Sequence, residues 1–93
     1  MHQFRIIVSG NVQGVSYRRF AKVWADKIGI VGWCRNLEDG NVEILAEGSK
    51  EDIDRFAEKL KEGPLLSKVS GIEMKHEQKT SRFSTFIIKN TFL

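Results

Sequence analysis

Residues 10 to 18 read Gly-Asn-Val-Gln-Gly-Val-Ser-Tyr-Arg, a glycine-bearing loop that follows a strand-like run and opens a helix-like one. Residue types in that order suit the binding of an anion. Backbone N–H groups at a helix start have no intrahelical partner and carry the positive end of the helix dipole, so a phosphate can satisfy them. Gly10 and Gly14 allow the positive φ values that turn successive N–H groups toward one point, and no proline in the stretch removes a donor. Arg18 adds a planar, permanently charged fork that matches phosphate, where a lysine would supply only a point charge. A cation beside the positive dipole end is unfavourable until an anion arrives, which favours a binding role for Arg18. The expected phosphate-binding residues are Asn11, Val12, Gln13, Gly14, Val15, Ser16, Tyr17 and Arg18.

Asn36 is the second candidate. It ends a strand pattern just before a polar turn, and its amide can accept from a water while donating to a phosphoryl oxygen. The amide takes no proton at neutral pH. Taken alone, an asparagine there also suits the opening of a turn. Cys34 lies in an apolar strand with no sequence neighbour to lower its pKa, so it reads as core rather than nucleophile. Neither His2 nor His76 is near these segments, and both read as surface residues. Paired Cys/His spacing of a zinc site is missing from the sequence, so neither a metal nor a cofactor is expected. Arg19 and Lys22 read as helix-surface charges that enrich the local positive field, with at most a steering role. Trp24 and Trp33 lie on apolar patterns and read as core, Trp33 being close enough to Asn36 to wall a site.

The elements that position these residues follow from periodicity. With 93 residues, 41% of them hydrophobic, the chain suits one domain over residues 1–93 with a single core. Phe4 to Gly10 reads as a buried strand. Tyr17, Phe20, Ala21, Trp24 and Ile28 form a helical stripe that Gly29 ends. Ile30–Asn36 and Gly40–Ala46 read as a hairpin through Leu37-Glu38-Asp39-Gly40. Ser49-Lys50-Glu51-Asp52 resembles a capping box, followed by Ile53, Phe56, Ala57 and Leu60 at helical spacing, until Gly63-Pro64 stops the helix. Ser67–Glu77 and Phe83–Asn90 complete the chain as strands. The order βαββαβ with a terminal strand predicts an α+β, ferredoxin-like sandwich, an antiparallel sheet with two helices packed on one face. Net charge is +3 and the pI about 9.2, a mild basic bias that suits a small anionic substrate. One cysteine, no signal-like start and no apolar run of membrane-spanning length lead to the expectation of a cytoplasmic monomer with no membrane partner.

Two segments resemble a known family. Gly10 to Arg18 resembles the first signature of the acylphosphatases. Gly32-Trp33-Cys34-Arg35-Asn36, with Gly40, Val42 and Gly48 in register, resembles their second. The likeness runs through the whole element order, roughly residues 4 to 90. It implies a small cytoplasmic enzyme that hydrolyses acyl phosphates to a carboxylate and inorganic phosphate without a metal, with Arg18 binding phosphate and Asn36 positioning water. Free phosphate or sulfate would compete for the site. Leu37 departs from those family members that carry a hydroxyl residue there, so no hydroxyl from that position orients the Asn36 amide. Two rivals use the same architecture. An RNA-binding module would show aromatic residues on a central strand, whereas Gly40 to Gly48 shows none and carries two glutamates, so nucleic acid is not expected as a partner. An accessory phosphate-binding domain of a larger carbamoyl-phosphate-using enzyme would need a second domain, for which the chain has no length.

Overall fold

A computed structural model describes residues 1–79 and 82–89. Five strands and two helices alternate as β1 (His2–Asn11), α1 (Tyr17–Ile28), β2 (Val31–Asn36), β3 (Val42–Gly48), α2 (Lys50–Glu62), β4 (Lys68–Glu77) and β5 (Phe86–Ile88). The sheet order is β4-β1-β3-β2-β5. Period-two alternation decides which side chains meet the helices. Ile6 and Val8 of β1, Cys34 of β2, Val42, Ile44 and Ala46 of β3 and Phe86 of β5 are completely buried. They form one core with Ala21 and Ala25 of α1 and Ile53, Phe56 and Leu60 of α2. Both helices therefore cover one sheet face, and the ferredoxin-like expectation holds. Phe56 and Phe86 meet edge-on, 5.9 Å apart, a pairing worth about 1 kcal/mol beyond its buried area.

The sheet is mixed rather than antiparallel throughout. β5 runs parallel to β2, with Gly32 opposite Phe86 and Cys34 opposite Ile88. After β4 the chain must reach the opposite sheet edge, and it arrives there in the direction of β2. β5 is also shorter than the predicted 83–90, because only three residues of β2 pair with it; Asn90, like Phe92 and Leu93, lies outside the described residues. β3 starts two residues later than predicted. Gly40, at φ +95°, and Asn41 belong to the turn, where Leu37 N–H donates to Asn41 O (2.8 Å) and Gly40 N–H to Leu37 O (3.2 Å).

Helix signals act as expected. Ser49 Oγ accepts from Asp52 N–H (3.1 Å), and Gly63 closes α2. Gly29, at φ +101°, closes α1. Trp33 is a correction. Gly32, Cys34 and Asn36 face the helices, so the alternation turns Trp33 to the other side, where Lys89 Nζ lies 4.3 Å above its ring. On that open face the Glu43 carboxylate accepts from both Arg5 and Arg35, and Arg5 also reaches Glu77 at 2.6 Å. Ion pairs and the Trp33 ring share that face.

Candidate active site

Where β1 ends, its register with β4 slips between Ser9 and Gly10, a bulge that turns the chain off the sheet. Gly10, at φ +121°, passes so close to β4 that a Cβ would lie 2.1 Å from Lys68 O, and only glycine fits. Val12 N–H turns back onto Gly10 O (3.1 Å). From Gln13 to Arg19 no backbone N–H donates to an acceptor among the described residues; the next bond of the chain is Phe20 N–H to Ser16 O (3.0 Å). A strained residue lies within the unpaired stretch. Ser16 caps α1 in the left-handed region (φ +64°) without offering its side chain to the helix, and the first turn of α1 carries no acidic residue. Among the described residues no side chain caps this helix start.

Arg18, Asn36, Gly14 and Ser16 line one cleft of about 260 Å³, floored by Val12 and Tyr17. Three elements meet there. α1 supplies Arg18, whose Nη1 donates to Lys89 O (2.9 Å) and so holds the guanidinium at one corner, leaving its other donors for an anion. β2 supplies Asn36, whose Oδ1 is buried and accepts no hydrogen bond from any described residue. A buried acceptor without a partner costs about 1–3 kcal/mol, so its place in a cleft of donors calls for a ligand or water. The loop supplies the amides. Gln13 locks loop and hairpin together, its Nε2 donating to both Leu37 O and Asn41 O at 2.8 Å.

The sequence-predicted residues therefore divide. Asn11 belongs to β1 opposite Lys68 and does not line the cleft. Gln13 uses its side chain as the tether just described and Val15 packs against the core, so neither side chain lines the cleft. Tyr17 is buried, with its hydroxyl donating to Leu60 O (2.6 Å), and burial holds its phenol well above the usual range. Leu37 acts through its backbone, which pins the turn after Asn36. Cys34 sits beneath the site with its Sγ 3.8 Å from Arg18 O, and burial pushes the thiol up to about 12. It is core, as its sequence setting implied. Lys22 does more than decorate a surface: Nζ donates to Phe86 O (2.7 Å) and pairs with Asp26 (3.1 Å), tying α1 to β5.

Two lining residues escaped the sequence as site residues. Ile88 was legible only as a strand residue, since its approach to α1 depends on β5 lying beside β2. Arg19 was read as surface charge, although its adjacency to Arg18 on the first helical turn was the available signal. The carbonyl of Lys89 has no sequence signal at all. Among the described residues no group of three or more His, Cys, Asp or Glu could hold a metal ion, and no helix is long and apolar enough to cross a membrane.

Known proteins resemble this chain in sequence and fold. The acylphosphatase family model matches residues 4–88. An acylphosphatase of Bacillus licheniformis is 42% identical over 88 residues, covering 95% of this chain and 98% of its own. The crystal structure of acylphosphatase from Bacillus subtilis superposes with a TM-score of 0.92 at 43% identity, covering 96% of this chain and 99% of that one. Full-length HypF, solved in a phosphate- and nucleotide-bound form, contains a similar unit: TM-score 0.87 and 29% identity, with 97% of this chain matched to 12% of that protein. On the match to the family model and to relatives of nearly equal length, the chain belongs to the acylphosphatase family.

Proposed function

We propose that in this acylphosphatase the amides of residues 13–18 and the Arg18 guanidinium hold the phosphoryl group while Asn36 aims a water at phosphorus. The observation that carries this reading is the orphaned Asn36 Oδ1 in the same cleft as Arg18 and the unpaired amides. In the step itself the water oxygen bonds to phosphorus, the bond from phosphorus to the acyl oxygen breaks, and the carboxylate leaves with its electron pair. Charge spreads over the equatorial oxygens, where the amides and the fork can meet it. A carboxylate is already a good leaving group, so no strong general acid is required. The proton goes to a phosphoryl oxygen of the substrate, a route supported by a lining that contains no Asp, Glu or His. Such a lining also gives an anion many donors and a cation no carboxylate, which supports a reaction without a metal. The same chemistry makes free phosphate and sulfate competitors, and the enzyme acts as a cytoplasmic monomer.

Hydrolysis of benzoyl phosphate in excess chelator tests the division of roles. Wild-type activity should persist. Arg18→Gln should lower kcat/KM by about 10²–10³, the range for removal of one preorganised donor, and should weaken inhibition by phosphate. Asn36→Ala should lower kcat by a similar factor while leaving phosphate inhibition within about threefold. Equal loss of phosphate affinity in both variants would contradict the assignment, and loss of activity in chelator would contradict a metal-free reaction.

A further inference from the structure

Arg19 stands next to Arg18 on the first turn of α1 and lines the same cleft, yet it does not do the same work. Arg18 is half-buried and fixed through Lys89 O, whereas Arg19 is exposed and has neither hydrogen bond nor ion pair with any described residue. Among the arginines of the helices and strands the contrast is sharp: Arg5 and Arg35 serve Glu43, and Arg55 serves Asp52. A second cation at the positive end of α1, with no acid in that turn, raises local repulsion that no hydrogen bond or ion pair of Arg19 to a described residue relieves. The phosphoryl group does not need it, because the unpaired amides and the Arg18 fork already supply more donors than three phosphoryl oxygens can use. Space remains for more than phosphate. Ile88 also lines the cleft, is 39% exposed and offers the carbon chain of a substrate an apolar surface.

We infer that Arg19 is a specificity-determining residue that favours acyl phosphates whose acyl group carries its own anionic end, a carboxylate or a second phosphate. The inference rests on the cleft being the acyl phosphate site and adds to it a rank order of substrates. With the phosphoryl group on the amides and the chain along Ile88, a terminal anion a few bonds from the carbonyl lies within reach of the long Arg19 side chain. Because Arg19 is exposed, the preference is salt-sensitive, unlike the seat beneath it.

Succinyl phosphate and butyryl phosphate test this, since they share a four-carbon chain and differ in the terminal carboxylate. KM and kcat for both would be measured in wild type, Arg19→Gln and Arg19→Glu at low and at high salt. Arg19→Gln should raise KM for succinyl phosphate about three- to fivefold, the upper range for one exposed charge pair, and leave butyryl phosphate within about 1.5-fold. Arg19→Glu should widen the gap, and about 0.5 M salt should narrow it in the wild type. Equal changes for both substrates, or no change for either, would overturn the inference and leave acyl phosphate hydrolysis intact. A wild type inactive on both would instead overturn the reading of the cleft, and the inference with it. Unaltered butyryl phosphate kinetics serve as the check that each variant is folded.

Discussion

At the scale of single residues, the proposed site uses few side chains and many amides. Asn36 and Arg18 were legible because their types are chemically unusual where they stand, an amide at a strand end and a cation at a positive helix start. The cradle was legible as glycines. What could not be read was which loop side chains face inward: Asn11 stays in β1, and Gln13 spends its amide on two carbonyls of the hairpin. Cys34 is the residue most easily mistaken for a nucleophile, since it lies two positions from Asn36 and touches the Arg18 carbonyl. A thiol pushed up to about 12 by burial holds almost no thiolate at neutral pH. Cys34→Ala should therefore keep kcat/KM within about threefold while lowering stability by roughly 1–2 kcal/mol for the lost buried volume, measured by hydrolysis assay and urea unfolding. A thousandfold loss of activity in a folded variant would make it a nucleophile after all.

At the scale of elements, the site depends on how α1, the hairpin and β5 are tied together. Three side chains do this through four bonds to backbone carbonyls: Gln13 to Leu37 O and Asn41 O, Arg18 to Lys89 O, and Lys22 to Phe86 O. Periodicity found the helices and most strands, because amphipathic spacing and caps are local signals. It missed the length and direction of β5, which three partners in β2 decide, and it misplaced the start of β3, which Gly40 and Asn41 give to the turn. Trp33 shows the same limit, since an apolar residue in a strand does not announce which face it takes. The Gln13 tether gives a graded test. Gln13→Ala removes two hydrogen bonds and should lower kcat by about tenfold through a looser cradle. Gln13→Glu turns a carboxylate toward two carbonyl oxygens, which repel it, and should cost more in both kcat and melting temperature. If glutamate were tolerated as well as alanine, the tether would carry no weight in positioning.

At the scale of the whole molecule, one core supports a cleft that draws on residues 70 positions apart, Arg18 and Ile88 among them. That core holds Cys34 and Tyr17 in their neutral forms, and the consequence for stability has a definite sign. An unfolded thiol titrates near 9 and the folded one near 12, so above pH 9 the unfolded chain binds fewer protons and stability falls as pH rises. Between pH 9 and 12 the urea midpoint should drop, with Cys34 contributing at most about 1.4 kcal/mol per pH unit, and Cys34→Ala should flatten the slope. An identical slope in the variant would remove Cys34 from that dependence. The central claim, however, concerns what the cleft holds, and a crystal structure of the protein soaked in inorganic phosphate tests it most directly. The expected map has the anion on the amides of residues 13–18, bidentate to Arg18, with a water between it and Asn36 Oδ1. Phosphate bound elsewhere with this cleft empty at saturating concentration, or Asn36 turned away from an occupied site, would contradict it.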